Sequence, residues 1–335
     1  MHSLAARAAL IGLLTLRQIG AGPHVSAPLA DTLANTPIQA LWQEPTDLAQ
    51  LDLFAGPEDV PAPAADDAFD FDSLKTSGFS PGYDVKDASG REWSVKLGPE
   101  AQTEVVASRL LWALGYHQPS VYYVPRWELK GGPSPGIQGG ARFRPKGAAL
   151  KTDGSWSWQR NPFVGTQPYR GLVVLMLLLN STDLRNDNNI VYQLRTGDDQ
   201  QVRLYVVKDL GATFGRTGVY RPQRNYIDGY EHEPFLVQDA GGRAKFGYRG
   251  LHRELLKGVT ADDVRWICGL LGRLSPEQLR DAFRAGGYSA DVAGRYIAAL
   301  NSRIQSGMAL PDTFTGTDSD FWANRQLRKI RRIVR

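Results

Sequence analysis

The first regular part of the chain alternates between apolar and polar positions. Residues 83–87 and 91–97 follow a period of two and are joined by a short Ala-Ser-Gly turn, a pattern typical of a β-hairpin. Residues 99–115 change to helical spacing, with Pro at the start and Gly at the end. Residues 120–129 again favour a strand. These patterns predict a β-rich unit that contains a single helix.

The rest of the regular chain has mostly helical spacing. The most apolar run predicts a buried helix over residues 168–179, and two strands at 189–194 and 201–211 follow it. Three amphipathic helices come next, with Thr260 and Ser275 as expected N-caps of the first two. The three predicted helices cover residues 259–274, 275–287 and 289–304.

Two segments lack this regularity. Residues 31–66 are rich in Pro, Ala and Asp and predict a linker, whereas residues 130–165 are rich in Gly, Pro and Trp and predict a loop or hinge. The order of elements favours an α+β fold over an alternating parallel one. The expected organisation is an N-terminal segment 1–66, a first lobe 67–129, a second lobe 130–310 and a basic tail 311–335.

Composition narrows the classes of function. A chain of 335 residues that is 42% hydrophobic can bury a sizeable core. Its net charge of +4 permits an anionic partner without requiring one, and the basic tail is the one feature that favours nucleic acid, so a nucleic-acid partner is unexpected. The single cysteine, Cys268, lies in a helical pattern typical of the core and excludes an intramolecular disulfide.

The N-terminus has some features of a secretory signal peptide. Apolar residues 8–16 follow Arg7, and small residues occupy positions 24–27. Arg17 and Pro28 argue against this interpretation, but the balance favours a secreted or periplasmic location over a cytoplasmic one. No run reaches the roughly 18–20 apolar residues that span a bilayer, so no membrane span is expected.

A polar stretch, NSTDLRNDNN, directly follows the most apolar helix. It places Asp183 and Asn188 at the two ends of one short loop, and Asp209 with Gly211 ends the second strand after it. Taken alone, each pattern is a common turn, because Asn and Asp bond their own backbone. Taken together, Asn188 and Asp209 supply the oxygen ligands that Mg²⁺ prefers, and Asp183 can orient or deprotonate an acceptor hydroxyl. A shift of the amide ligand to Asn189 stays open.

Candidate nucleotide-binding residues precede this stretch. Lys96 lies in a predicted strand and can contact phosphates, while Glu104 in the next helix can hold its ammonium group. Upstream, SGFSPG offers Gly78, Ser80 and Gly82, whose backbone N–H groups can cover phosphates.

The order of a lysine strand (WSVKL), a glutamate helix (TEVVASRLLWALG), a D-x4-N loop and a D-x-G strand end resembles the protein-kinase-like superfamily over residues 68–290. It is similar to the atypical HipA-type and CotH-type bacterial kinases, to the secretory-pathway casein kinases and to uncharacterised bacterial proteins of the same layout. The resemblance implies a two-lobed fold, with a small β-rich N-lobe holding one helix and a larger helical C-lobe. It also implies ATP and Mg as cofactors and γ-phosphate transfer to a hydroxyl, of a protein more than of a small molecule.

The sequence also departs from that pattern. Thr182 stands where the family has the Arg of an HRD triplet, Leu210 replaces the Phe of DFG, and no GxGxxG is present. Two alternatives therefore stay open: an inactive pseudokinase or nucleotide-binding module, and a secreted envelope- or carbohydrate-binding protein.

Further residues near these motifs carry weaker signals. Arg142 and Arg144 alternate and can meet a phosphate, while Lys208 is expected to point away from Asp209 and to be structural. Three aromatic residues fit either a base-stacking wall or, more readily, the core: Trp156, Trp158 and Phe163.

Overall fold

A computed structural model describes most of the chain. The described residues are 36–57, 60–75, 80–147, 150–195, 201–218, 223–239 and 241–316. The signal-like segment, Gly78 and residues 317–335 of the basic tail lie outside them.

A seven-stranded sheet builds the first lobe. Its order is β4-β7-β3-β2-β1-β5-β6, and its described neighbours are antiparallel except for β1 and β5. The predicted hairpin is confirmed as β2 and β3. The strands are β1 Ala68–Leu74, β2 Gly82–Lys86, β3 Glu92–Leu97, β4 Tyr122–Val124, β5 Trp127–Lys130, β6 Gly136–Gln138 and β7 Ala141–Pro145.

Two expectations about this lobe are wrong. Residues 120–129 are not one strand but β4 and β5, which pair with different neighbours because the chain breaks at Pro125, which has no N–H to donate. Residues 130–165 are not only a loop, since β6 and β7 extend the sheet as far as Pro145, beyond the expected lobe boundary at residue 129. Short strands between glycines leave too few alternating positions to recognise.

The sheet curls so that one face encloses an aromatic core. Phe143 on β7 lies 5.2 Å from Trp127 on β5 and 4.8 Å from Phe69 on β1, measured between ring centroids, although other strands separate them in the sheet. Alternation along the strands puts the polar and charged residues on the opposite face. That face carries Asp84, Ser94, Lys96, Arg142 and Arg144.

Helix α1, Glu100–Ala113, follows β3 as predicted and is buried over most of its length. Its Val106, Leu110 and Leu111 join the main core of the second lobe rather than the aromatic core of the sheet. The helix therefore connects the charged face of the sheet to the second lobe.

The second lobe is mostly helical. Thr260 and Ser275 both form capping boxes as predicted, and Cys268 is buried in the core. A three-stranded sheet of order β10-β9-β8 and a two-stranded sheet of β11 and β12 complete the described part. The elements are β8 Leu150–Thr152, α2 Gln167–Leu178, β9 Asn189–Arg195, β10 Gln201–Val207, α3 Ile227–His232, β11 Leu236–Gln238, β12 Ala244–Phe246, α4 Ala261–Leu271, α5 Pro276–Ala285 and α6 Ala290–Met308.

The segment 36–57 packs against the protein, which corrects the prediction of a linker over 31–66. Trp42 stacks edge-on against Trp266 of α4 at 5.3 Å between ring centroids, and its indole N–H donates to the carbonyl of Leu114 at 2.7 Å. Gln278 of α5 donates to the carbonyl of Leu48 at 2.7 Å. Scattered apolar residues among Pro, Ala and Asp are enough to hold this segment on the core.

The predicted fold class is confirmed: an α+β fold with a small β-rich lobe holding one helix and a larger helical lobe. Among the described residues, no helix combines the length and apolar character that a membrane span requires.

Candidate functional site

Lys96 is the centre of an ion-pair cluster between the two lobes. Its Nζ lies 2.8 Å from Oε2 of Glu104 and 3.3 Å from Oε2 of Glu100, both on α1. From the second lobe, Asp209 places Oδ1 at 2.7 Å from the same nitrogen. The sequence-predicted residues Lys96, Glu104 and Asp209 are therefore in direct contact, although they come from three elements.

Glu104 holds more than one cation. Its Oε1 lies 3.0 Å from Nε of Arg142 and also contacts Nη2 of Arg144. Burial of the carboxylate would raise its pKa, but Arg142, Lys96 and Arg144 outweigh burial and hold the pKa of Glu104 well below its usual range. Glu104 is therefore ionised and pairs with three cations on the charged face of the sheet.

Lys96 remains charged despite its burial. Only 11% of its side chain is exposed, which disfavours the ammonium form, but Glu104 and Asp209 outweigh that effect and raise its pKa. The side chain of Asp209, by contrast, is 42% exposed. Asp209 is therefore the member of the cluster that faces open space.

The turn after β10 is docked on α1. Thr103 donates its hydroxyl to the carbonyl of Gly211 at 2.7 Å, and a Cβ at Gly211 would lie 2.6 Å from Cβ of Glu100. Glycine is needed there because a side chain at this position would collide with Glu100. The contact links the position of Asp209 to the helix that carries Glu104.

The NSTDLRNDNN loop runs beside that turn. The carbonyl of Asn188 accepts from the backbone N–H of Lys208 at 2.8 Å and of Asp209 at 3.4 Å, and Thr182 N–H donates to the carbonyl of Ala212 at 3.0 Å. Asp183 is partly exposed in this loop. The structure thus brings Asp183, Asn188 and Asp209 to one side of the cleft.

Asn188 and Asp209 each offer a side-chain oxygen of the kind that a hard divalent cation takes as a ligand. The amide of Asn188 donates from Nδ2 to the carbonyl of Asp183 at 3.2 Å, which leaves its Oδ1 without a hydrogen-bond donor among the described residues. Oδ2 of Asp209 likewise has no hydrogen-bond donor in the described part of the chain. No cluster of three His, Cys, Asp or Glu side chains that could hold a metal occurs among the described residues. Mg²⁺ bound through one or two protein oxygens plus phosphates and waters matches such a pair.

Asn189 does not share this role. Its side chain is 2% exposed and donates to the carbonyl of Trp156 at 3.1 Å, so it is fixed in the interior. Of the two neighbouring amides that the sequence left open, Asn188 is the one beside Asp209.

The other predicted phosphate-binding residues have structural contacts. Ser80 donates its hydroxyl to Oε2 of Glu100 at 2.8 Å, near the start of α1. A Cβ at Gly82 would lie 2.2 Å from the carbonyl oxygen of Val95, so the close approach of β2 and β3 accounts for this glycine. Gly78 lies outside the described residues.

Several residues of the cluster were missed by sequence reasoning. Glu100 pairs with Arg224 at 2.9 Å, and neither was singled out. Lys208 was expected to point away from the site; its backbone carbonyl accepts from Nη2 of Arg144 at 3.3 Å, a contact that sequence reasoning did not find. The strand β10 ends at Val207, so the rule of alternating sides no longer applies to residue 208.

The aromatic wall proposed from sequence is part of the core. The relevant side chains are at most 5% exposed, and the indole of Trp156 donates to the carbonyl of Val206 at 3.0 Å. These residues are Trp156, Trp158 and Phe163.

No protein-family model matches the sequence, and no curated protein matches it either. Among solved structures, the chain is similar to the Helicobacter pylori proinflammatory kinase CtkA, with 12% identity, 73% of this chain and 97% of that chain covered and a TM-score of 0.45. It is also similar to the Rio2 kinase from Chaetomium thermophilum, solved as an ADP/Mg²⁺–phosphoaspartate complex, with 13% identity, coverage of 70% and 72% and a TM-score of 0.30. Both are kinases, but they overlap this chain loosely, so a functional assignment depends on the geometry of the site.

Proposed function

We propose that this protein is an ATP- and Mg²⁺-dependent kinase that transfers the γ-phosphate to a hydroxyl group, more readily of a protein than of a small molecule. One observation carries the proposal: Lys96 lies between Glu104 of α1 and Asp209 of the second lobe, at 2.8 and 2.7 Å. A lysine that is held by a helix glutamate and lies beside an aspartate able to bind Mg²⁺ is the arrangement that protein kinases use for phosphoryl transfer.

The roles of the individual side chains follow from their positions. Lys96 would bind the α- and β-phosphates, and Glu104 would hold its ammonium group in place. Asp209 and Asn188 would hold Mg²⁺, which neutralises phosphate charge when bound. Asp183 would accept the proton of the acceptor hydroxyl. The hydroxyl oxygen would then bond to the γ-phosphorus of ATP while the bond between that phosphorus and the oxygen of the departing ADP breaks.

A carbohydrate-binding protein would need exposed aromatic rings to stack on sugars, but Trp156 and Trp158 are buried. The rival that remains is a module that binds nucleotide without transferring phosphate. It shares the Lys96 cluster with the kinase and differs in whether Asp183 acts on a hydroxyl.

The test is transfer of γ-labelled phosphate from ATP, with and without Mg²⁺, to casein, to the chain itself and to water. Replacement of Asp183 by Asn should lower transfer by roughly a hundredfold or more while ATP still binds, since general bases contribute on that order. Asp209→Asn should remove the Mg²⁺-dependent part of ATP binding.

Asp187 provides a matched control in the same loop. Its carboxylate is 68% exposed and pairs with Arg185 at 2.6 Å, so Asp187→Asn should leave transfer unchanged. ATP binding without transfer by the wild type would reject the kinase in favour of the nucleotide-binding module. Absence of both would reject nucleotide chemistry altogether.

Export remains a separate proposal. It rests on residues 7–28, which lie outside the described part of the structure. Cell fractionation with N-terminal sequencing of the mature protein tests it: retention of residues 1–28 on a cytoplasmic protein would reject it.

A further inference from the structure

We propose that Lys75 and Lys208, one from each lobe, are additional phosphate ligands that adapt the Lys96 cleft to a polyphosphate chain. The inference rests on the proposed function and extends it from a single phosphate-binding lysine to three.

The side chain of Lys75 extends from the end of β1 to the charged face of the sheet. It follows β1, and its backbone N–H donates to the carbonyl of Gly82 at 3.0 Å. Its Nζ donates to the hydroxyl of Ser94 on β3, two strands away, and Ser94 shares a face with Lys96. The carbonyl of Ser94 accepts from Nη1 of Arg142 at 2.7 Å. The ammonium of Lys75 thus lies over the same face as Lys96 and the two arginines.

Lys208 enters from the second lobe, directly before Asp209. Its backbone is fixed on both sides, with the N–H donating to Asn188 at 2.8 Å and the carbonyl accepting from Nη2 of Arg144 at 3.3 Å. Its side chain is half-buried, and among the described residues no carboxylate lies within ion-pair distance of its Nζ. Lys208 is therefore a partly desolvated cation that forms no ion pair with the described residues.

Lys75 lies in unfavourable surroundings. Burial and the neighbouring Arg142 and Arg144 lower its pKa to about 7, although Asp84 and Glu104 act in the opposite direction. Partly buried charges destabilise a fold unless a counter-ion is present.

The cleft as a whole has an excess of positive charge. Glu104 is already shared among Lys96, Arg142 and Arg144, and Glu100 is occupied by Arg224 and Lys96. An anion with several charges, reaching from the sheet to the second lobe, would supply what these cations lack. The triphosphate of a nucleotide has that charge and length, and ammonium groups bind phosphates well.

The experiment compares Lys75→Met and Lys208→Met with Lys96→Met and with Lys130→Met, a change at an exposed lysine on β5. Calorimetry with Mg²⁺ measures binding of ATP and of AMP, and thermal unfolding is recorded without nucleotide. Each of the two variants should weaken ATP binding on the order of tenfold and leave AMP binding unchanged, because each removes one charge-assisted hydrogen bond to the β- or γ-phosphate.

A merely structural role predicts a different result. If the lysines held the fold together, their loss would lower the melting temperature of the empty protein; as phosphate ligands they should leave it equal or higher, because an unpaired cation is removed. Unchanged ATP affinity in both variants, with weaker binding by Lys96→Met, would overturn this inference alone.

Failure of the proposed function gives a separate signal. If the wild type binds no ATP, inorganic tripolyphosphate becomes the probe for the lysine site. Tripolyphosphate binding that is lost in Lys75→Met and Lys208→Met would support a polyphosphate site of another function. Equal binding by the wild type and both variants would overturn it.

Discussion

Strand β7 buries two kinds of residue on its two faces. Phe143 points into the aromatic core of the curled sheet and is fully buried. Its neighbours Arg142 and Arg144, at 2% and 7% exposure, point to the other face and meet Glu104. Three consecutive positions on one strand are therefore almost completely buried. Burial of the phenyl ring stabilises the fold, whereas burial of the two guanidinium groups costs them their hydration.

The two faces differ in how burial affects the stability of the fold. Burial of aromatic side chains stabilises the folded state and requires close packing but no specific polar partner. Buried ions lose their hydration, and the attraction of their partners offsets this cost only where the partners are well placed. A protein with apolar replacements of similar size is therefore often no less stable. We therefore attribute the charged face to the phosphate ligand proposed above rather than to a gain in stability.

The largest effect is expected on the apolar face. Phe143→Ala should lower the free energy of unfolding by about 3–5 kcal/mol, the usual range for a large core aromatic. Denaturant titration measures it, and Ile137→Ala on β6, at 58% exposure, is the control on the same sheet. A loss below about 1 kcal/mol for Phe143→Ala would break the comparison, since such a value is typical of surface positions.

A smaller but distinct loss is expected on the charged face. Glu104→Gln removes the shared counter-charge and leaves Lys96, Arg142 and Arg144 facing one another, so the free energy of unfolding should fall by about 3 kcal/mol. Adding Arg142→Met to Glu104→Gln should restore part of that loss, because one unpaired cation is removed. Simple additivity of the two changes would show that they do not act through one cluster.

The same contrast separates what sequence could and could not predict. Lys96 and Glu104 were assigned to the correct strand and helix because period-two and helical spacing are local properties. The pairing of Glu104 with Arg142 and Arg144 was not found, since the partners are brought together by strand order across the sheet. The side on which Lys208 lies could not be predicted by alternation, because β10 ends at Val207. Local pattern identifies elements, whereas shared counter-charges depend on tertiary structure.

The smallest effect is expected at Lys75 and depends on pH. The folded protein releases the proton of Lys75 at a pKa of about 7, whereas the unfolded chain keeps it to an ordinary lysine pKa of roughly 10.4. Between these values the unfolded state binds more protons, so the destabilisation by Lys75 is greatest below about pH 7 and fades as pH rises. Lys75→Met should therefore melt above the wild type near pH 6, with a difference of a few degrees that shrinks toward pH 9.

Matched melting curves of the wild type, Lys75→Met and Lys130→Met across that range isolate the effect, because other groups titrate equally in all three. Lys130→Met, at an exposed position, should follow the wild type throughout. A difference between Lys75→Met and the wild type that stays constant from pH 6 to pH 9 would show an undisturbed or well-paired ammonium at residue 75, because neither state would then release its proton in that range. The cations of the charged face would then be neutralised by the protein's own carboxylates. The contrast with the aromatic face would no longer support a phosphate ligand.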